Sequence, residues 1–487
     1  MKATFFFILG FIAYQSVIAQ STFFKWFPSE MHEYIYCAIE SDDGCFLLSG
    51  QYAQDFYGHQ SGYLLKIDAI GNFIKQNITS YNDTSFSHGI VFKIPGETGV
   101  VNVTSISDFI FNDTNYHSFH YSKYSEELEL ISRKSYNSPY NFSFYPQAVA
   151  LPDSSYFFVL STIRNKYSFP SGINITKYSV QFDSITSFQV NRYGMQGFGL
   201  IWDSTNSVLK AFSDVKGDYL YVTRLNQDLH FEEEKNLPYF VASTSATAFT
   251  NSMYLLTGVA DDITGVEAHI KVKKYSAIDT IIDSIEYYND PDTLLYSGAV
   301  KNTALIGDKI FVIGVYNIEP VEFPWQSVPT WIQVSRIDTG LQIIDHHFYG
   351  GDAFYMPYNV IYTTDGGALI SGNRYDYNTP WEQKYHVFVL KVNSNGLITE
   401  LPDQPQAKAH DAIVYPNPGI EFLNIQSGPQ ISGAEFYLFD VNGKAIIVEK
   451  ITNTLINVNT AYLPAGTYPW QIVFKNKVIE SGKWVKN

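Results

Sequence analysis

The chain has 487 residues, enough for two or three average domains, and only 16% of them are Asp, Glu, Lys or Arg, against roughly a quarter in a typical soluble domain. Its 37 Tyr and 36 Phe favour strands, whose pleated surface suits aromatic side chains. The net charge of −16, with no basic stripe, argues against nucleic acid as a partner, because such a body repels phosphate.

The amino terminus has the pattern of a targeting segment. Lys2 precedes the apolar run Phe5–Ile18, and small Val17 and Ala19 stand ahead of Gln20, which predicts a signal peptide over residues 1–19. The competing reading is a membrane anchor, for which the run is short. No Cys follows to carry a lipid, and no second run of spanning length occurs, so no membrane span is expected after cleavage. Export also permits disulfides. Cys37 and Cys45 lie on a predicted hairpin, Tyr34–Glu40 and Cys45–Gln51, turning at Ser41-Asp42-Asp43-Gly44. With Glu40 opposite Cys45 and Cys37 opposite Leu48, the sulfurs point to opposite faces. Two small buried thiols are expected.

A repeat dominates the middle of the chain. Tyr358–Leu401 runs YNVIYTT, a DGG turn, ALISGNR, a loop, HVFVLKV, an NSNG turn and LITEL. The same order recurs, with second strands beginning near residues 45, 99, 155, 207, 252, 309 and 368. Four-strand repeats of this length are propeller blades, since each sheet buries its two faces only against neighbours. The expected fold is all-β: a seven-bladed β-propeller over residues 20–401. FFKWF near residue 23 resembles a fourth strand and is expected to close the ring. A solenoid or a pair of sandwiches is the alternative. The units loosely resemble the DGG-apolar-Gly and Lys-apolar-Asp-x-x-Gly repeats of secreted bacterial propellers.

Turns 1–2 and 3–4 of each unit share one end of the ring and are short, rich in Gly, Asp and Asn. Loops 2–3 and the inter-blade links share the other end. Most of those loops are long, and five are crowded with aromatics, among them Tyr57, Phe111, Phe169, Trp325, Tyr377 and Trp381. Long loops on a rigid scaffold are where binding sits, so these six are the candidate ligand-binding residues. The bland alternative is that the rings cap the core.

Residues 402–412 are a polar, Pro- and Ala-containing linker. The remainder, from Ile413 to Asn487, has six Lys against five acids, so it carries +1 and the preceding body −17. Its short alternating segments predict a small immunoglobulin-like β-sandwich over residues 413–487, with Asn442-Gly443 as a type I′ turn and Phe436 and Leu438 on one face. Tyr415-Pro416-Asn417-Pro418, Leu423-Asn424-Ile425, Leu438-Phe439-Asp440 through Gly443-Lys444, and Leu463-Pro464-Ala465-Gly466-Thr467-Tyr468 stand in an order that resembles the type A sorting domains of type IX secretion cargo. The resemblance implies the type IX machinery as a partner, and a destination at the outer-membrane surface or outside the cell. Pro469 departs from it, and places that strand at an edge or a bulge.

No G-x-S-x-G, P-loop, H-E-x-x-H or C-x-x-C motif occurs, so no catalytic residue, metal or cofactor is assigned. His346-His347 with Asp345 and Asp352 is the nearest polar cluster, but adjacent strand residues face opposite ways. Asp290 and Asp292 fall short of a calcium shell. The leading functional expectation is a secreted or surface binding protein taking a glycan or peptide on its aromatic end. The alternatives are an extracellular hydrolase or lyase with a dispersed site, and an adhesion or scaffold protein with no small-molecule site.

Overall fold

The computed structural model describes residues 21–398 and 412–486, apart from 54–59, 80–84, 108–116, 139–140, 154, 165–169, 216–218, 239–241, 251, 262–267, 288–294, 319–327, 377–383, 428–432, 441–443, 454 and 475–476. The expected signal peptide, residues 402–411 of the expected linker, and Asp290 and Asp292 lie outside the described residues; Ala412, expected to end the linker, already begins a strand.

Every regular element among the described residues is a strand. After β1 (Phe23–Phe27) come β2 (His32–Glu40), β3 (Phe46–Ala53), β4 (Gln60–Ile67) and β5 (Phe73–Thr79), which form one antiparallel sheet. The second sheet is β6 (Ser85–Phe92), β7 (Val100–Ser107), β8 (His117–Tyr124) and β9 (Leu130–Ser138). The third is β10 (Asn141–Ala150), β11 (Tyr156–Arg164), β12 (Pro170–Ser179) and β13 (Ser184–Asn191). The fourth is β14 (Met195–Asp203), β15 (Val208–Val215), β16 (Tyr219–Asn226) and β17 (Phe231–Leu237). The fifth is β18 (Ala242–Ala248), β19 (Tyr254–Asp261), β20 (Ala268–Tyr275) and β21 (Ile281–Tyr287). In the sixth the first strand is split: β22 (Leu295–Ser297) and β23 (Thr303–Ile306) both pair with β24 (Lys309–Tyr316), followed by β25 (Trp331–Asp338) and β26 (Ile343–Gly350). The last is β27 (Phe354–Tyr362), β28 (Ala368–Tyr375) and β29 (Tyr385–Val392), and β1 is its fourth strand.

The first strands of successive sheets, β2, β6, β10, β14, β18, β23 and β27, pack each on the next, and β27 returns to β2. A buried apolar cluster fills each junction, including the one where Phe23, Ile35 and Leu48 meet Leu369 and Val389. A closed ring of four-stranded sheets is the architecture of a β-propeller. Closure rests on β1, which lies antiparallel on β29 from Phe23↔Lys391 to Phe27↔Val387. The FFKWF expectation is met, and Leu397 and Ile398, expected to begin a fourth strand, carry none.

Each first strand is interrupted where its side chains must turn along the ring. β2 skips a residue between Ile35 and Cys37, and β27 between Pro357 and Asn359. The backbone pushed outward by such a bulge needs a small residue opposite. A Cβ on Gly50 would stand 1.6 Å from Tyr34 O, and one on Gly372 2.1 Å from Met356 O. The Ser-Gly pairs visible in the sequence are therefore packing requirements.

The cysteine hairpin differs from expectation. Glu40 pairs with Phe46, and Ser41 N donates to Cys45 O, so three residues form the loop with Gly44 at φ 76°. A type I turn followed by a left-handed Gly matches the strand twist better than the four-residue loop. Cys37 then opposes Ser49, not Leu48. Both thiols are free but half-buried, not buried.

The tail holds two sheets. One is β30 (Ala412–Tyr415), β31 (Phe422–Ser427) and β34 (Leu455–Asn459); the other orders β33 (Ala445–Lys450), β32 (Glu435–Phe439), β35 (Gly466–Phe474) and β36 (Lys477–Lys486). Leu423, Ile425 and Val458 of the first share a core with Phe436, Leu438 and Ile472 of the second. Asp440 N donates to Lys444 O, which leaves three residues in the hairpin loop where a two-residue turn at Asn442-Gly443 was expected; residues 441–443 themselves lie outside the described residues. Pro469 is on an interior strand, not an edge one, and that strand shifts register against β36 between Ile472 and Val473; Pro469 itself sits one residue beyond Leu438↔Trp470, the last pair of β35 with β32. Its missing N–H therefore costs no ladder bond on that side.

Candidate functional site

The two ends of the ring are built differently. At the turn end, each third strand runs into the same five-residue turn. Asp68, Ser125, Ser179, Asn226, Ser276, Asp338 and Asn393 each accept, through a side-chain oxygen, the N–H of the residue four positions on. The fourth turn position has positive φ and is Gly only at Gly71 and Gly396; Leu128, Phe182, Leu229 and Leu341 adopt it with their side chains buried between sheets. Burial of a large apolar group offsets the cost of about 1 kcal/mol of that conformation.

Two residues before each turn stands a cation: Lys66, Lys123, Lys177, Arg224, Lys274, Arg336 and Lys391. Several reach into the next sheet's turn. Lys66 Nζ donates to Glu126 O at 2.6 Å, Lys274 to Thr339 O at 2.8 Å and Arg336 Nη1 to Ser394 O at 2.9 Å. Lys177 pairs with Asp228 at 2.9 Å, while Lys391 holds Asp365 of its own sheet. The Lys-apolar-Asp-x-x-Gly signal is thus a stitch between neighbouring sheets. At the fourth–fifth junction the positive-φ residue is Asp279, ringed by Arg224, Lys210 and Lys235, with Tyr254 Oη donating to it at 3.0 Å. The turn end is tied off.

The loop end is where the candidates were expected. Tyr57, Phe111, Phe169, Trp325, Tyr377 and Trp381 all lie outside the described residues. The strands beneath their loops are described. Tyr34, Tyr36, Phe354, Tyr358, Tyr375 and Tyr385 gather with Val300 in one buried cluster. Val300 belongs to the segment between β22 and β23, which leaves its own sheet: Lys301 N donates to Tyr358 O, and Val360 N to Lys301 O, both at 2.9 Å. At the start of β2, burial pushes the Glu33 carboxyl up to about 7, against hydrogen bonds from Ser29 and Tyr63.

Exposed rings also occur at this end, and the sequence reading missed them. Trp26 on the closing strand is 44% exposed, with the Arg374 guanidinium 4.5 Å from its ring and His386 at 5.6 Å. Arg374 is itself held by Asp352 at 3.0 Å and by Tyr355 Oη at 3.1 Å. Burial, then Arg374, bring His386 down to about 4, so its ring is neutral. Tyr193 and Tyr219 are exposed beside the shortest 2–3 loop. Alternation along FFKWF places Trp26 on the face opposite the Phe23 and Phe27 contacts.

The remaining polar candidates are structural. Asp345 pairs with Arg336, and His347 Nε2 lies 3.6 Å from Asp345. Asp352 serves Arg374, so the cluster does not converge. Among the described residues no three His, Cys, Asp or Glu side chains are grouped to hold a metal.

The tail motifs do converge, although far apart in sequence. Asn417 Nδ2 donates to Lys483 O, and Val485 N to Asn417 Oδ1, both at 2.8 Å. Trp484 Nε1 donates to Pro416 O at 2.7 Å, and a Cβ on Gly419 would stand 2.6 Å from that indole. Tyr468 lies 5.9 Å from Trp484 and donates its hydroxyl to Pro464 O at 2.7 Å. Tyr415–Pro418 and Leu463–Tyr468 thus clasp the final strand through Trp484. Gly443 lies outside the described residues.

Residues 413–487 match the family described as the secretion system C-terminal sorting domain. No curated protein matches the chain. Among solved structures, the Dos1 propeller is 9% identical with a TM-score of 0.42, over 77% of this chain and 96% of that one. The β-propeller domain of the Trilobed protease from Pyrococcus furiosus has 9% identity and a TM-score of 0.42, over 77% and 98%. The α-L-arabinofuranosidase Arb93A from Fusarium graminearum has 10% identity and a TM-score of 0.42, over 66% and 99%. At such identities and scores nothing about activity passes from them to this chain.

Proposed function

Because residues 413–487 are a type IX secretion sorting tail, and the chain is therefore a cargo sent to the cell surface or beyond it, we propose that its body is a secreted or surface binding module that takes a neutral glycan at the loop end. In this reading the chain divides into a signal peptide (1–19), a seven-bladed propeller (20–401), a linker (402–412) and an immunoglobulin-like sorting sandwich (413–487). The observation that carries it is the half-exposed indole of Trp26 on the closing strand, with the Arg374 guanidinium 4.5 Å from its ring. A fixed ring with one accessible face gains buried area under a sugar's C–H face, at little cost in side-chain freedom. The acidic body, −17 without the tail, disfavours anionic polymers.

The test is a glycan array followed by calorimetry, with Trp26→Ala, Trp325→Ala and Trp381→Ala. Each is expected to weaken a neutral-glycan hit about tenfold, the loss of one ring's contact, while the melting temperature holds. A wild-type protein that binds no glycan returns the module to a scaffold role.

A further inference from the structure

A second aromatic surface lies about halfway around the ring, in sheets that carry none of the two tryptophan-bearing loops. Tyr193 is 73% exposed and Tyr219 52% exposed. With half or more of each phenol in water, neither is a core residue displaced by packing, yet both arise at one place. A Cβ on Gly194, next to Tyr193, would stand 3.4 Å from Val215 Cγ1. Val215 is in turn the register partner of Tyr219 across the β15–β16 hairpin. The backbone beside Tyr193 and the pairing partner Tyr219 therefore meet at one valine, at the junction of the third and fourth sheets. Gly194 N and Arg192 N donate to Pro170 O and Ser171 O, both at 2.9 Å, which fixes the link that presents Tyr193.

The floor of this junction is organised. Tyr221 lies 6.0 Å from Tyr219 and is covered by the Arg192 guanidinium at 4.2 Å. Arg192 Nη2 donates to Glu234 at 2.9 Å, and Glu234 accepts from Thr223 at 3.2 Å. The guanidinium charge is thus met by a carboxylate, and this surface is polar without a net charge from the pair. Exposed amides stand on either side, Asn191 at the end of β13 and Asn236 on β17 opposite Tyr221. Exposed rings with amides and a balanced ion pair at their rim match a sugar, whose C–H face is apolar and whose edge is hydroxyl. They suit a phosphate or uronate poorly, since no cation is left uncompensated.

We infer that Tyr193 and Tyr219 form a second saccharide subsite, in which the two phenols stack on a neutral hexose unit while Arg192, Asn191 and Asn236 meet its hydroxyls. The inference rests on the glycan reading above and extends it: a chain held at both Trp26 and this surface must be a polymer or a branched oligosaccharide, because the two places lie on different sheets of the ring.

The full chain is tested against arrayed neutral gluco-, manno- and galacto-oligosaccharides beside uronate-bearing ones and a peptide array. Tyr193→Ala with Tyr219→Ala is compared with wild type and with Tyr362→Ala, an equally polar ring exposed at the turn end. The double variant is expected to lose about tenfold or more in affinity for the long neutral oligosaccharides, as the removal of stacked rings requires. Short ones held at Trp26 alone should bind as before, and Tyr362→Ala should match wild type. If the neutral glycan binds and the double variant does not weaken it, this subsite is wrong while the glycan reading stands. If the wild type binds no sugar, both fall. Loss confined to uronates or peptides overturns the assigned ligand class.

Discussion

Replacing Phe23 by Ala probes what closes the ring. The side chain is 6% exposed, lies in the cluster between the last and first sheets, and stands where a Cβ on Gly71 would meet its ring at 2.5 Å. Phe→Ala at such a site costs about 3–5 kcal/mol, transfer and cavity together. The ring spans residues 23–392, and with an unfolding entropy of about 2 cal/mol/K per residue its melting entropy is about 0.8 kcal/mol/K. The melting temperature should therefore fall by about 5 °C if the ring melts as one unit. Lys25→Ala on the same strand removes an exposed bond to Asn72 and a distant cation contact, 5.8 Å from the Phe23 ring, and should move it by less than about 1 °C. A cycle with Gly71→Ala adds a check: that change should be less costly in the Phe23→Ala background, by about 1 kcal/mol, because its ring clash is gone. Scanning calorimetry reads all four. Equal melting of Phe23→Ala and Lys25→Ala would mean that β1 does not hold the ring, whatever its hydrogen bonds.

Two further outcomes test the interior. Asp279→Leu puts the residue of the sister turns among Lys210, Arg224 and Lys235, and should cost about 3–5 kcal/mol by leaving buried cations under-compensated; adding Lys210→Met should recover part of it in urea unfolding, and a neutral single variant would refute a role for the cluster. Glu33 is 4% exposed, and its folded pKa of about 7 lies above the usual 4.5. The folded state therefore binds the extra proton, and stability falls as pH rises from about 4.5 to 7, by at most about 3 kcal/mol. Glu33→Gln should flatten that slope and stabilise the protein at pH 8; an unchanged pH profile would show that the carboxyl is not buried as described.

Much of the architecture is local and was readable in advance. Second strands expected near residues 45, 99, 155, 207, 252, 309 and 368 begin at Phe46, Val100, Tyr156, Val208, Tyr254, Lys309 and Ala368. They could be read because strand alternation and turn chemistry are written within a few consecutive residues. The Cys37 register escaped because it hangs on the loop length: three loop residues rather than four move every partner by one, and Ser41-Asp42-Asp43-Gly44 is compatible with either. The Lys-apolar-Asp-x-x-Gly units were visible as a pattern, but their reach into the next sheet's turn was not, since the partner lies some 60 positions away, as with Lys66 and Glu126.

By itself the sequence determined the strand content, the repeat, the closing FFKWF segment and the sorting tail, each a matter of composition, period or ordered motif. Only the tertiary structure decided which rings stay in water. Trp26 and Phe23 are three residues apart on one short strand, yet one is half exposed and the other buried, because alternate side chains meet different neighbouring sheets. The link bearing Tyr193 reached the partner of Tyr219, Val215, only when the third and fourth sheets packed face to face. Likewise Asn417 met Val485, 68 positions on, because the packing of the tail's two sheets brings the segment after β30 against β36. Contacts between distant segments are set by packing, which no local pattern records.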